Sequence, residues 1–515
     1  MLNAISNFFL PGLFGKGKAP SKAANNPLAE FLFLDRAQRL PQSGTKALMQ
    51  RSDMYAYQNH AVEFVKTRPS SALWIDMGLG KTAVVLTAFA DLQASFDVRR
   101  MLVIAPLRIA RKVWKDEIQE WAHLRHLTIS NITGTREEKF KALRTDADIH
   151  TINREETQWL EAQFIQDKKQ ITRWPWDLVV LDESQSFRSQ GSQRFNSLAR
   201  LRSLFPRMVQ LTGTPSPNGY MGLWSQLYLL DKGRRLGSDQ KSFRERHFTP
   251  PVGIFTKWSL KPRAAKAVQS QVSDIVLSLR EQDYLTLPPV KENFVKVSLP
   301  ASALAKYKEM ERELIASVKG KKLTAVNAGV LDNKLLQMAS GAIYHNDRGE
   351  WVELHDAKIK ALEEVIEGMC GKRLLVSYSY KHELARISKL LEAVCKRLDL
   401  RWSVLSSDAD FNQWAGGAYD VGVLHPASAG HGLNDVYKSG CEDIVHFSLG
   451  ADLELYQQVN GRIAGGNRRK GRNVVIHHIV AEGTRDMDYA RLIKRKALSQ
   501  DELKASLAIV LGEEG

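Results

Sequence analysis

The chain has 515 residues, 43% hydrophobic and 25% charged, an ordinary globular usage that excludes a disordered, collagen-like or coiled-coil rod and sets an expectation of about two to four domains. Lysine and arginine number 73 against 57 acids, a net charge of +16. That balance favours polyanionic partners, nucleic acid first among them, with a soluble basic protein as the plain alternative. No apolar stretch reaches the ~20 residues of a membrane helix. Cys370, Cys395 and Cys441 are far apart and offer no CxxC pair, so neither a disulfide framework nor a zinc site is expected, and a reducing, cytoplasmic compartment is.

Residues 1–45 form an extension of mixed character. Its apolar patch has no basic residue before it and is broken by Pro11 and Gly12, so it reads as a docking arm for a protein partner rather than a secretory signal, with an amphipathic anchor as the alternative. From 46 to 232 short apolar runs alternate with helical stretches. Residues 72–75, 101–105, 178–181 and 208–211 are candidate buried strands, and 111–121 spaces Val113, Ile118 and Trp121 as one helix face. This alternation predicts an α/β fold with a mostly parallel sheet. Residues 233–355 break the rhythm with a basic entry (Arg234, Arg235, Lys241, Arg244, Arg246), a Pro288-Pro289 punctuation and a charged helix over 304–318; they read as a basic linker and helical insertion. Alternation returns over 356–498, with candidate strands at 374–377, 403–405, 421–424, 444–447 and 474–479. A capping box, Ser499 to Glu502, opens a separate C-terminal helix within 499–515.

The sharpest local signal is the run DMGLGKT at 76–82, between a strand and a helix. Glycines let backbone N–H groups surround a phosphate chain, and the following helix N-terminus favours the anion. Met77, Gly78, Leu79, Gly80, Lys81 and Thr82 are therefore candidate ATP-binding residues, with Lys81 reaching the β/γ-phosphates and Thr82 binding Mg²⁺. Ile75 stands where the common pattern has its first glycine. A second strand ends in Asp182-Glu183-Ser-Gln185. Functional groups sit at the carboxyl ends of parallel strands; Asp182 is a candidate Mg²⁺ ligand and Glu183 the residue that orients and deprotonates the attacking water. A third turn, LTGTP at 211–215, carries hydroxyls suited to relaying γ-phosphate occupancy to other surfaces, and Thr214 is taken to face the nucleic acid.

The order of these elements resembles helicase superfamily two, and within it the Swi/Snf-like ATP-dependent DNA translocases. Tyr57-Gln58 precedes the phosphate loop; IAPL at 104–107 with Trp114 and Glu117 follows it, then INRE at 152–155, DESQ and LTGTP. A second lobe carries LVSYS at 375–379, HPASAGHGLN at 425–434 and QVNGR at 458–462. LLQMASG at 335–341 and LWSQLY at 223–228 are similar to compact members carried by bacteriophages. The resemblance implies two RecA-like parallel-sheet lobes, and a monomeric motor using ATP and Mg²⁺ on duplex or forked DNA, in a host cytoplasm if phage-encoded.

Residue by residue, the resemblance implies that Gln58 reads the adenine and that Pro106, Leu107 and Asn153 face the nucleic-acid backbone. Ser428, Gly430, Gly432 and Asn434 link that backbone to the nucleotide cleft, while Gln458 and Arg462 face the γ-phosphate, making Arg462 catalytic beside Lys81, Asp182 and Glu183. The last motif usually has a second arginine three residues after the first; here Gly465 stands there. Arg468 and Arg469, in a cluster with Lys470 and Arg472, are assigned to the DNA backbone, with a substitute second arginine as the alternative. The function expected is ATP-dependent DNA translocation; a strand-separating RNA helicase and a non-catalytic nucleic-acid scaffold are the competing readings.

Overall fold

Parallel strands covered by helices on both faces are buried along their whole length, so they read as unbroken apolar runs. In the computed structural model, which describes residues 48–217, 219–251, 258–319, 325–345, 349–429, 439–450, 452–465 and 471–507, two sheets are built this way. The chain divides into two compact units, Met1–Met49 and Gln50–Gly515, and both sheets belong to the second. The extension expected at 1–45 lies outside the described residues.

The first sheet contains β1 (Ser70–Ile75), β2 (Met101–Ala105), β3 (Ile129–Ile132), β4 (Ile149–Asn153), β5 (Leu178–Asp182), β6 (Arg207–Thr212) and β7 (Val276–Leu279). Their order is β7-β1-β6-β5-β2-β4-β3, parallel throughout. The second sheet contains β8 (Lys291–Val297), β9 (Leu374–Ser377), β10 (Trp402–Val404), β11 (Val421–Leu424), β12 (Asp443–His446) and β13 (Val475–Ala481), in the order β8-β13-β12-β9-β11-β10, again all parallel. Trp74, Ile104, Leu181, Phe187 and Trp224 pack in the core of the first lobe. Val376, Leu391, Val423 and Phe447 pack on one side of the second sheet, and Leu375, Trp414, Ile444 and Ile463 on the other. The architecture is the expected pair of RecA-like α/β lobes. Among the described residues no helix is long and apolar enough to cross a membrane.

Two boundaries differ from the sequence reading. The segment 233–355 is not wholly an insertion: β7 completes the edge of the first sheet and β8 the edge of the second. β8 was not legible as a strand because Lys291, Glu292 and Lys296 give it the charged, exposed character of a sheet edge. The separate helix at 499–515 is also corrected. One helix runs unbroken over Arg485–Leu507 with no glycine or proline inside it, so Ser499 sits mid-helix and caps nothing; residues 508–515 lie outside the described residues.

The start of that helix is pinned by a buried charge pair. Lys358, on helix Ala357–Gly368, forms an ion pair with Asp486, their side chains 0% and 2% exposed. Lys358 Nζ also donates to the Phe447 carbonyl at 3.1 Å, and Asp486 accepts from the Ala481 N–H at 3.1 Å. Removing one partner strands the other's charge in the interior, at a cost of about 3–5 kcal/mol. Asp486→Ala is therefore expected to lower unfolding free energy by about that amount, measured by urea titration, and Lys358→Met combined with Asp486→Leu to recover more than half of it. A double variant as unstable as the single would show that the pair's charges are not what holds the helix start.

Candidate nucleotide and nucleic-acid site

The phosphate loop leaves β1 at Ile75 and enters helix Lys81–Ala94 through Gly80. Gly80 has φ +84, and a Cβ there would lie 2.3 Å from Gln58 Nε2, so glycine is required both by the turn and by the close approach. Gln58 is buried on helix Ala56–Lys66; its Nε2 donates to the Leu79 carbonyl at 3.1 Å and its Oε1 accepts the Tyr55 N–H at 2.9 Å. It thus braces the loop from behind. Lys81 Nζ donates to the carbonyls of Ile75 at 2.9 Å and Asp76 at 3.4 Å. Burial pulls its ammonium below the ordinary lysine value, against the opposing pull of Glu183, Asp182 and Asp76. Thr82 follows it in the first turn, at the end of the helix that favours anions.

Two strands away from β1 in the same sheet, β5 delivers Asp182 and Glu183. Asp182 is buried, accepting the Trp114 indole N–H at 3.0 Å and the Glu183 backbone N–H at 3.0 Å. Burial first and the neighbouring Glu183 second push its carboxyl up to about 7. Glu183 has φ +54, a left-handed conformation that costs a non-glycine residue roughly 1–3 kcal/mol and clusters at functional sites. Its Oε2 accepts from Gln185 Nε2 at 2.8 Å.

The second lobe meets this edge through helix Leu453–Ala464. Gln185 Nε2 also donates to Glu454 Oε1 at 3.0 Å, Arg188 Nη1 pairs with Glu454 Oε2 at 2.8 Å, and Gln458 Nε2 lies 3.4 Å from Glu454 Oε1. Burial, then Glu183, raise the Glu454 carboxyl above its ordinary value. On the same helix a Cβ at Gly461 would lie 2.6 Å from Met77 Sδ, and one at Gly465 would lie 2.7 Å from the Gly461 carbonyl and 3.2 Å from the Met77 carbonyl. The helix that carries Gln458 and the half-buried Arg462 therefore rests directly on the phosphate loop. A further lobe-to-lobe contact joins Arg108, after β2, to Asp408, with the guanidinium 5.4 Å from the Phe411 ring.

The residues expected at the nucleic acid divide. Leu107 is 39% exposed and Pro106 beside it is buried. Asn153 ends β4 and its Oδ1 accepts the Glu155 N–H at 3.3 Å. Ser428 lies in the short helix Pro426–Ala429, its N–H bonded to the His425 carbonyl. Thr214 is 2% exposed, with its hydroxyl unpartnered among the described residues. Arg472 is likewise turned inward, donating to the Cys441 carbonyl and lying 3.7 Å from Glu442. Gly430, Gly432, Asn434, Arg468, Arg469 and Lys470 lie outside the described residues. Sequence reading passed over Glu454, Arg188 and the role of Trp114. Glu454 had one local signal, its place four residues before Gln458 on the same helical face; the others depend on partners far along the chain.

A family model described as SNF2-related domain matches residues 57–345. Protein p41 of Acyrthosiphon pisum secondary endosymbiont phage 1 is 37% identical over 443 residues, 84% of this chain and 93% of that protein. Helicase ssl-1 of Caenorhabditis elegans is 30% identical over 158 residues, 30% of this chain but 6% of its own length. Among solved structures, the Sulfolobus solfataricus SWI2/SNF2 ATPase core in complex with dsDNA aligns over 90% of this chain and 95% of that one, with 20% identity and a TM-score of 0.41.

The packing at Gly465 gives a test. Placing an arginine there, as the usual form of the motif has it, puts a Cβ into backbone atoms. Overpacking of this kind costs roughly 1–3 kcal/mol, and Gly465→Arg is expected to lower ATP turnover by about tenfold. A variant faster than the natural chain would show that the position is short of charge and not of space.

Proposed function

This chain is a member of the SNF2-related family and an ATP-hydrolysing enzyme, and from that premise we propose that it is a motor that spends ATP to move along or remodel DNA. The observation that carries the reading is the bonded path from Glu183 through Gln185 to Glu454. It ties the hydrolytic carboxylate of one lobe to the second-lobe helix that bears Gln458 and Arg462.

The roles follow from the chemistry of each group. Lys81 exchanges its two loop carbonyls for the β/γ-phosphates, and Glu183 orients and deprotonates the attacking water. Arg462 supplies positive charge to the transferring phosphoryl group when the lobes are closed. Among the described residues no three His, Cys, Asp or Glu are grouped to hold a metal by themselves. The Thr82 hydroxyl and the Asp182 carboxylate nevertheless suit Mg²⁺, which takes one or two protein oxygens and otherwise keeps waters and substrate phosphates. That ion would neutralise developing charge on the phosphates; Trp114 holds the Asp182 carboxylate in place for it. Loss of the γ-phosphate removes what Arg462 and Lys81 share, the lobes relax, and surfaces near Leu107, Asn153 and Ser428 shift against each other along the strand. Arg468 and Arg469 serve the DNA backbone in this reading. The N-terminal extension docks a protein partner, and the motor acts as a monomer in a host-cell cytoplasm.

Lys81→Ala is expected to reduce turnover by about a thousandfold, by removing charge at the phosphates. Glu183→Gln is expected to reduce it by ~10²–10⁴, the usual contribution of a general base, with ATP still bound. Both should retain DNA binding in a filter or anisotropy assay, and hydrolysis persisting in both would place the site elsewhere.

The substrate is tested by ATPase rate with no polymer, single-stranded DNA, duplex, forked DNA and RNA in parallel. DNA is expected to stimulate, duplex-containing substrates at least as well as single strands. Binding should fall steeply as salt rises, because phosphate contacts release condensed counterions. Stimulation by RNA alone would favour the RNA-helicase reading, and binding without stimulation the scaffold.

A further inference from the structure

The helix Arg485–Leu507 begins on the second sheet, beside β13, and ends against the first lobe, where it packs on β7 and on helix Ala264–Val272. Near its end Lys504 is buried, and its Nζ forms an ion pair with Asp76 Oδ1. The same ammonium lies 3.3 Å from the carbonyl of Gly213. Asp76 is the first residue after β1 in the phosphate loop, and Gly213 lies in the LTGTP turn, where a Cβ would be 3.6 Å from Lys81 Nζ. The other oxygen of Asp76 accepts the Glu281 backbone N–H at 2.8 Å. Arg280, a neighbouring cation that also feels Asp76 and Asp501, is hydrogen-bonded to Asp283 at 2.7 and 2.6 Å.

A carboxylate at the mouth of a loop built for triphosphate repels the ligand unless a cation compensates it. Lys81 cannot serve both Asp76 and the phosphates. We propose that Lys504 is a positioning and charge-compensating residue of the nucleotide site: it neutralises Asp76, so the terminal helix of the second lobe sets how readily the loop takes ATP. The proposal rests on reading the loop as an ATP site. It gives the stretch after 499, which no motif of the sequence covers, a part in nucleotide binding. It also makes that part conditional on the helix being docked, so that a chain whose helix has lifted off the first lobe presents to the incoming phosphates an aspartate that has lost its ion-pair partner.

The test is steady-state ATP hydrolysis by the full chain at saturating DNA, with ATP varied. Lys504→Met is expected to raise the ATP KM by about tenfold, one factor of ten being the scale of a single lost charge compensation, while kcat stays within about twofold. Lys504→Arg, which keeps the charge, should stay close to the natural KM. Asp76→Asn, which still accepts from Glu281, leaves Lys504 with only Asp501 of its two acidic neighbours and should lower KM by about threefold. The decisive measurement is Lys504→Met combined with Asp76→Asn, expected to return KM to within about threefold of the natural value. If the methionine variant does not fold, Lys504→Gln in the same pair of backgrounds gives the same reading. An unchanged KM in Lys504→Met, or a double variant as impaired as the single, overturns the proposal while leaving the ATP site intact. Failure of the natural chain to hydrolyse ATP overturns the site assignment and this inference with it.

Discussion

Asp76, Asp182 and Glu183 surround Lys81 and Glu454 lies beside Glu183, so the phosphate chain proposed for this site would meet four carboxylates. In a partly dehydrated cleft each such charge needs a partner, because unpaired buried charge costs several kcal/mol. The described structure answers each in turn. Asp76 takes Lys504, Asp182 takes the Trp114 indole and the Glu183 N–H, Glu183 takes Gln185, and Glu454 takes Arg188. Among the described residues the hydrogen bonds of Lys81 Nζ go to the carbonyls of Ile75 and Asp76, which it would exchange for phosphate oxygens in the proposed reading. The distribution of charge around the cleft thus determines which groups brace the site and which remain available for the substrate.

That arrangement also accounts for what was readable in the chain. Lys81, Thr82, Asp182 and Glu183 are legible because strand, turn and functional group follow one another within a few residues. The parallel strands are legible for the same reason, since burial on both faces leaves a run such as Met101–Ala105 wholly apolar. β4 is harder, because His150 and Thr151 are polar yet buried; the Trp176 indole and the Ala110 carbonyl satisfy them from elsewhere in the fold. Lys504 had no signal at all. Its partner lies 428 residues away, and one more lysine near the end of a basic chain is indistinguishable from a solvated one. The apparent capping box at Ser499 misled because a local hydrogen-bonding pattern competes with an already propagating helix, and the helix wins when no glycine or proline stops it.

Gly465 stands where a side chain has little room in this structure, since a Cβ there would lie 2.7 Å from the Gly461 carbonyl. With Gly461 it lets the end of helix Leu453–Ala464 lie on Met77 with backbone-scale clearance. Close contact of that kind is all-or-none: a shift of an ångström forfeits much of the dispersion attraction. Such a lobe contact favours two discrete arrangements over a continuum.

The connections between the lobes have a mechanical consequence. The chain passes from β7 to β8 through residues 280–290, between one edge of the first sheet and one edge of the second. The terminal helix spans the lobes again beside the same pair of edges, since β13 neighbours β8 and the helix packs on β7. The Arg108–Asp408 contact lies towards the opposite side, Asp408 following β10 at the far edge of its sheet. Two tethers along one side behave as the two pins of a door. They suppress sliding and twisting and leave a swing as the soft coordinate, with the smallest travel at the pins and the largest at the free edge.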